Sequence, residues 1–255
     1  MAGRGPAGFL FLCLLTGSAH AQEAPYLTVL PRQEQGRRWE QSADLRMVQK
    51  RYLEAIDLYE AALALNPGNA VLLNKLGIAH HQLLRLDDAK KFYERSSRAD
   101  RHYANAWNNL GTIYYGKKDY KKAVRYYERA LKESPAQAAI HSNLGTALFA
   151  RKKYDEALEE YRVALLLDPE VFEKRARFGV LLQEQTVEDR ARYSFLLAKG
   201  FASLGYVDRC IAFLRRALED GFSPLEAQGD PAFVLVRDDP RFQELFAQQP
   251  VTLPR

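Results

Sequence analysis

An all-α, right-handed solenoid of stacked antiparallel helix pairs is the fold that this sequence predicts. Three observations carry that reading. Gly77, Gly111, Gly145 and Gly179 recur at a constant step (111 − 77 = 34), and each follows an apolar residue: Leu76, Leu110, Leu144 and Phe178. Ala55, Ala89, Ala123 and Ala157 keep the same step, as do Tyr59, Tyr93, Tyr127 and Tyr161 four residues further on. Within one unit the apolar positions have helical periodicity, with Trp107, Leu110, Gly111 and Tyr114 at i, i+3, i+4 and i+7.

The chain has 255 residues, of which 47% are hydrophobic and 27% charged, with a net charge of +5. Two cysteines exclude a disulfide-stapled scaffold and a four-thiolate zinc site. The single long apolar run excludes a multi-span membrane protein. The 37 basic residues are balanced by 32 acidic ones, so the surface is mixed and nucleic acid is not an expected partner.

Met1 to Ala21 has the anatomy of a secretory signal: Arg4, the apolar run Phe9 to Leu15, and the small-x-small ending Ala19-His20-Ala21. Export to a periplasmic or secreted location is the expectation. Cleavage would remove Arg4 and Cys13, leaving a net charge of 5 − 1 = +4 and Cys210 as the last thiol. Residues 22–35 form an irregular lead.

The first complete unit to examine is 104–137. Its opening helix ends at the polar turn Gly116-Lys117-Lys118-Asp119, and a second helix carries Ala123, Tyr127 and Ala130. Gly111 and Ala123 mark a close approach of the two helices, and the aromatic rings fill the space beside it. A helix pair of this size cannot cover its own apolar face, so neighbours must stack on it. Pro67, Pro135 and Pro169 close units, with Arg101 in the equivalent place of another.

The pattern Trp107-x2-Leu110-Gly111-x2-Tyr114, then Ala123-x3-Tyr127, then Pro135 resembles the tetratricopeptide repeat. Units fall at 36–69, 70–103, 104–137 and 138–171, the first with Ser42 and Ala43 in place of Leu-Gly. Residues 172–224 are expected to hold an irregular fifth unit and a further helix pair, the register breaking at 183–192. Ala198, Phe201, Cys210, Leu214 and Ala217 then return to register, which makes Cys210 a small packing residue. Residues 225–255 resemble the cap that ends repeat arrays in exported bacterial proteins. There Asp230-Pro231 and Asp239-Pro240 predict helix starts. Phe233, Leu235, Phe242, Leu245 and Phe246 are expected to cover the last repeat.

No catalytic or metal constellation is present: no His-Glu-x-x-His, Cys-x-x-Cys or Gly-x-Ser-x-Gly. His80 and His81 are adjacent on a helix and diverge, which does not suit a shared metal. The expectation is a non-enzyme without cofactor or metal.

Residues 104–115 and 138–149 contain no Asp, Glu, Lys or Arg. The resemblance implies that opening helices line a concave groove for a protein or peptide segment. Its expected lining is Asn74, Lys75, Asn105, Asn108, Asn109, Thr112, Tyr115, Ser142, Asn143, Thr146, Phe149 and Arg177. Asn amides both donate and accept, as a peptide backbone does, while Tyr115 and Phe149 offer apolar contact. The family's basic clamp for a C-terminal carboxylate is not reproduced, because Ala139 and Asn143 stand where two cations are needed, and Glu173 and Arg177 match by half. Two other expectations remain open. Residues 22–35 could cover the groove themselves, or the chain could be a structural subunit of a cell-envelope assembly. That subunit would dock through its cap or through the basic turn residues Lys117, Lys118, Lys121, Lys122, Arg151, Lys152 and Lys153, which also suit a membrane surface.

Overall fold

A computed structural model describes residues 31–173 and 186–247. The signal segment, most of the lead, Arg177, Gly179, the start of the register break (183–185) and the C-terminal tail lie outside the described residues. Helices α1 (Arg32–Val48), α2 (Tyr52–Leu65), α3 (Ala70–Gln82), α4 (Leu86–Ala99), α5 (Ala104–Gly116), α6 (Tyr120–Glu133), α7 (Ala138–Ala150) and α8 (Tyr154–Leu167) form four pairs. The fifth pair is α9 (Val187–Ser203) with α10 (Val207–Glu219). The cap consists of α11 (Pro224–Gly229), a 3₁₀ turn (Pro231–Phe233) and α12 (Pro240–Ala247). There is no strand among the described residues. Each pair packs internally, and each second helix packs on the next opening helix, giving an all-α solenoid. The first helix starts at Arg32, inside the stretch expected to be irregular.

The repeat's small and large residues interlock across each pair. Tyr59, Tyr93, Tyr127 and Tyr161 are buried, as are Ala55, Ala89, Ala123 and Ala157. A methyl group added to Gly111 would lie 2.6 Å from Cε1 of Tyr127, and the same clash recurs at Gly77 with Tyr93 and at Gly145 with Tyr161. The glycine is therefore required by the ring of the facing tyrosine, as well as by helix approach. In the last pair Ala198 and Leu214 take the glycine and tyrosine slots, and both are fully buried. Cys210 is buried in the alanine slot, and burial pushes its thiol up to about 12.

Each turn inside a unit puts one residue in the left-handed region: Lys50, Leu84, Lys118 and Lys152 have φ between 58° and 60°. At the third turn Lys118 N–H donates to Tyr115 O and Asp119 N–H to Tyr114 O, closing the helix C-terminus. Asp119 then caps α6 by accepting from the Lys122 N–H.

Helix α9 packs on α8 as α7 packs on α6, so the repeat resumes with the unit that begins at 191. In the cap, Asp230 accepts from Ala232 N–H and Asp239 from Arg241 N–H, although Pro231 opens a 3₁₀ turn and not an α-helix. Phe233 and Phe242 are buried, and the Phe233 ring centre lies 5.7 Å from that of Phe195. Leu235 is corrected: it is 68% exposed, and Val236 takes the buried place expected for it. Phe233 and Val236 face the core three residues apart, with Val234 and Leu235 exposed between them, a helical-turn spacing that puts the apolar contact one position beyond Leu235.

Candidate functional site

The polar residues predicted for the groove are bonded to one another in a ladder. Asn109 Nδ2 donates to Asn74 Oδ1 at 2.9 Å, and Asn143 Nδ2 donates to Asn108 Oδ1 at 2.7 Å. Asn108 Nδ2 donates to Asn109 Oδ1 at 3.3 Å, which joins the two rungs. One unit earlier the rung is charged: Lys75 Nζ donates to Glu40 at 2.7 Å and to Asp44 at 2.8 Å. All three rungs span 35 residues, one more than the repeat. Each therefore ties the sixth position of one unit to the fifth position of the unit before it.

The charged rung has its own electrostatics. Burial works against the Lys75 charge, but the bonds to Asp44 and Glu40 outweigh it and raise the ammonium above its usual range. Tyr59 O–H also donates to Asp44, at 2.6 Å, and burial with that bond pushes the phenol up. Glu40 and Asp44 were not foreseen as groove residues. A comparison at a step of 35 in place of 34 would have revealed them.

Not all of the predicted lining is open. Asn105 is exposed, and Asn108, Asn109 and Thr112 are half-buried, so the face of α5 presents an uncharged polar strip. Thr112 Oγ1 donates to Asn108 O at 3.3 Å and lies 3.3 Å from the Tyr127 hydroxyl. Tyr115, Ser142, Thr146 and Phe149 were expected to be spared from packing, and that is corrected, because all four are buried. The Tyr115 ring packs on Tyr120 at 5.2 Å, and Phe149 packs on Tyr154 and Tyr193. Thr146 Oγ1 donates to Ser142 O at 2.8 Å. Ser142 lies on α7, which α6 and α8 flank. Asn74 and Asn143 are also buried, within the ladder.

The basic edge is compensated in part. Lys117 pairs with Asp87 at 2.9 Å, Lys122 with Asp119 at 2.8 Å and Lys153 with Glu156 at 2.6 Å. Of the half-matched clamp, Glu173 pairs with Arg209 at 3.3 Å.

The histidines do not converge. His80 stacks on Phe92 at 5.1 Å, with neither ring nitrogen bonded, and burial lowers its pKa. His141 takes the slot of Trp107 and repeats its bond: Trp107 Nε1 donates to Arg101 O at 2.9 Å, and His141 Nε2 sits 2.8 Å from Pro135 O. His141 Nδ1 lies 2.6 Å from Glu160. Among the described residues no group of three or more His, Cys, Asp or Glu could hold a metal, and no helix is long and apolar enough to cross a membrane.

Two tetratricopeptide-repeat family models match the chain, one over residues 70–132 and one over 108–171. Together with the stacked pairs at a step of 34, they identify a tetratricopeptide-repeat protein. Among solved structures the chain is similar to the pilF protein of Pseudomonas aeruginosa, with 16% identity and a TM-score of 0.56, covering 85% of this chain and 89% of that one. It is also similar to the MamA protein, with 20% identity and a TM-score of 0.50, covering 73% of this chain and 92% of that one. At these identities the likeness is one of fold. No curated protein matches the sequence.

Proposed function

We propose that this chain is a non-catalytic interaction scaffold, exported by its N-terminal signal, that binds an extended protein segment along the face of α5. The observation that supports this most directly is the asparagine ladder. The Asn108 and Asn109 amides each have two N–H donors and an oxygen with two lone pairs, and the ladder uses one donor and one acceptor position of each. Asn108 and Asn109 are fixed in orientation by the rungs yet half-open to solvent. Side chains already ordered by their neighbours lose little entropy when they bind a main chain. The neutral strip asks little of the ligand's charge, so main-chain hydrogen bonding dominates recognition. Concave binding faces of this kind are the usual working surface of repeat arrays.

Ion pairing along the turn edge weakens the alternative of docking through lysines on an anionic surface. The test is affinity capture from an envelope extract with the chain from residue 22 onward. A second bait carries Asn105→Lys with Asn109→Ala. A protein retained by the first bait and lost by the folded second one is the expected result. Equal retention by both would overturn the groove assignment.

A further inference from the structure

Away from the α5 face, a cavity of about 350 Å³ opens where the turn before α8, helix α9 and the cap meet. Its apolar wall is Tyr154, Phe195 and Leu196, and its cations are Lys152, Lys153, Arg192 and Lys199. Arg192, Phe195 and Lys199 stand at i, i+3 and i+7, so α9 presents all three on one face.

The charges divide into paired and unpaired groups. Lys153 is held by Glu156 at 2.6 Å and Lys199 by Asp230 at 2.8 Å. Neither Arg192 nor Lys152 has a carboxylate partner among the described residues. Arg192 is half-buried with its guanidinium 5.0 Å from the Tyr154 ring centre. An aromatic face holds a guanidinium by its plane and leaves the edge N–H groups directed outward, the geometry for a carboxylate. A half-buried cation with apolar walls and no counter-charge is also the group that gains most from an incoming anion. The remaining rim carboxylates, Asp155 and Glu226, are exposed. They are screened by water, but they repel a multiply charged phosphate or polyanion more than a single carboxylate.

We propose that this cavity is a second binding site, independent of the α5 face, for one carboxylate joined to an apolar group. Arg192 and Lys152 take the carboxylate, and Tyr154 with Phe195 takes the apolar part. Two sources supply that chemistry, a small free acid and an acidic side chain beside an aromatic one in a peptide.

Ligand-observed NMR titration of the full chain with 3-phenylpropionate and with N-acetyl-Phe-Glu-amide separates the sources by affinity. Saturable binding of either probe, weakened at least tenfold by Arg192→Gln and by Lys152→Gln, is expected. Lys152 is exposed, so its variant keeps the test informative if Arg192→Gln perturbs folding. Binding that neither substitution weakens, absence of saturable binding by both probes, or stronger competition by inorganic phosphate would each overturn the assignment. Retention of binding by the Asn105→Lys, Asn109→Ala chain separates this site from the α5 face.

Discussion

Asn143 donates to Asn108 across 2.7 Å although the two are 35 residues apart in sequence. The bond joins opening helices of consecutive units, and Asn108 passes it on to Asn109 and thence to Asn74. Removing Asn108 therefore takes from the Asn143 amide, which is buried, its acceptor at 2.7 Å. Asn108→Ala is expected to cost about 1–3 kcal/mol. Asn105→Ala, at an exposed site with a 3.4 Å contact to Tyr103, should stay within about 0.5 kcal/mol. Urea unfolding of both variants measures the difference.

Two glycines of α5 should respond with opposite sign. A methyl at Gly111 meets the Tyr127 ring at 2.6 Å, so Gly111→Ala should destabilise by about 1–3 kcal/mol. Nothing lies within 4 Å of a methyl at Gly116, where alanine should gain roughly 0.5–1 kcal/mol through helix propensity. Thermal unfolding of the two variants gives the signs.

Leu84 has φ 58° and is 81% exposed, so it carries left-handed strain without packing to offset it. The equivalent turns use Lys50, Lys118 and Lys152. Leu84→Gly should stabilise the chain by about 1 kcal/mol, and an unchanged denaturation midpoint would contradict this.

Acid should loosen the second repeat. Burial holds the His80 pKa below the usual 6.5; Asp88 and Glu60 oppose that and Arg85 reinforces it. The unfolded chain thus takes up the proton first. The neutral form's contribution is complete above about 6.5 and is lost as pH falls from there through the folded value. His81, lowered by burial, acts in the same direction. His80→Phe keeps the stack on Phe92 and should shrink the drop in urea midpoint between pH 7.5 and 5.5 (~1 pH unit on either side of the ordinary value). A drop as large as in the unsubstituted chain would show that other groups cause it.

Much of this fold was legible because the repeat writes its core at fixed intervals. The tyrosine, alanine and glycine series located every helix pair through α8, and Cys210 was identified as a packing residue. The lining was harder to read. Position along an opening helix indicates which way a side chain faces, but not whether a neighbour covers it. Thus Asn108 and Thr112 are half-buried, whereas Ser142 and Thr146, their equivalents one unit on, are buried. The ladder escaped notice because its partners are offset by one from the repeat. The Lys117 pair depends on Asp87, a carboxylate from the preceding unit, whereas Lys122 with Asp119 and Lys153 with Glu156 are neighbours three residues apart. The cavity escaped for a similar reason, since Lys152, Arg192 and Glu226 come from three segments that only folding brings together.

The offset of the rungs also has a mechanical consequence. A tie from the sixth position of one unit to the fifth of the last continues only where one unit supplies polar groups at both positions and they meet. Asn108 and Asn109 are such a junction, and they load the interfaces on both sides of α5 together. Pulled from its ends, the array would resist peeling one unit at a time through this stretch, and the second, third and fourth repeats would yield as a block.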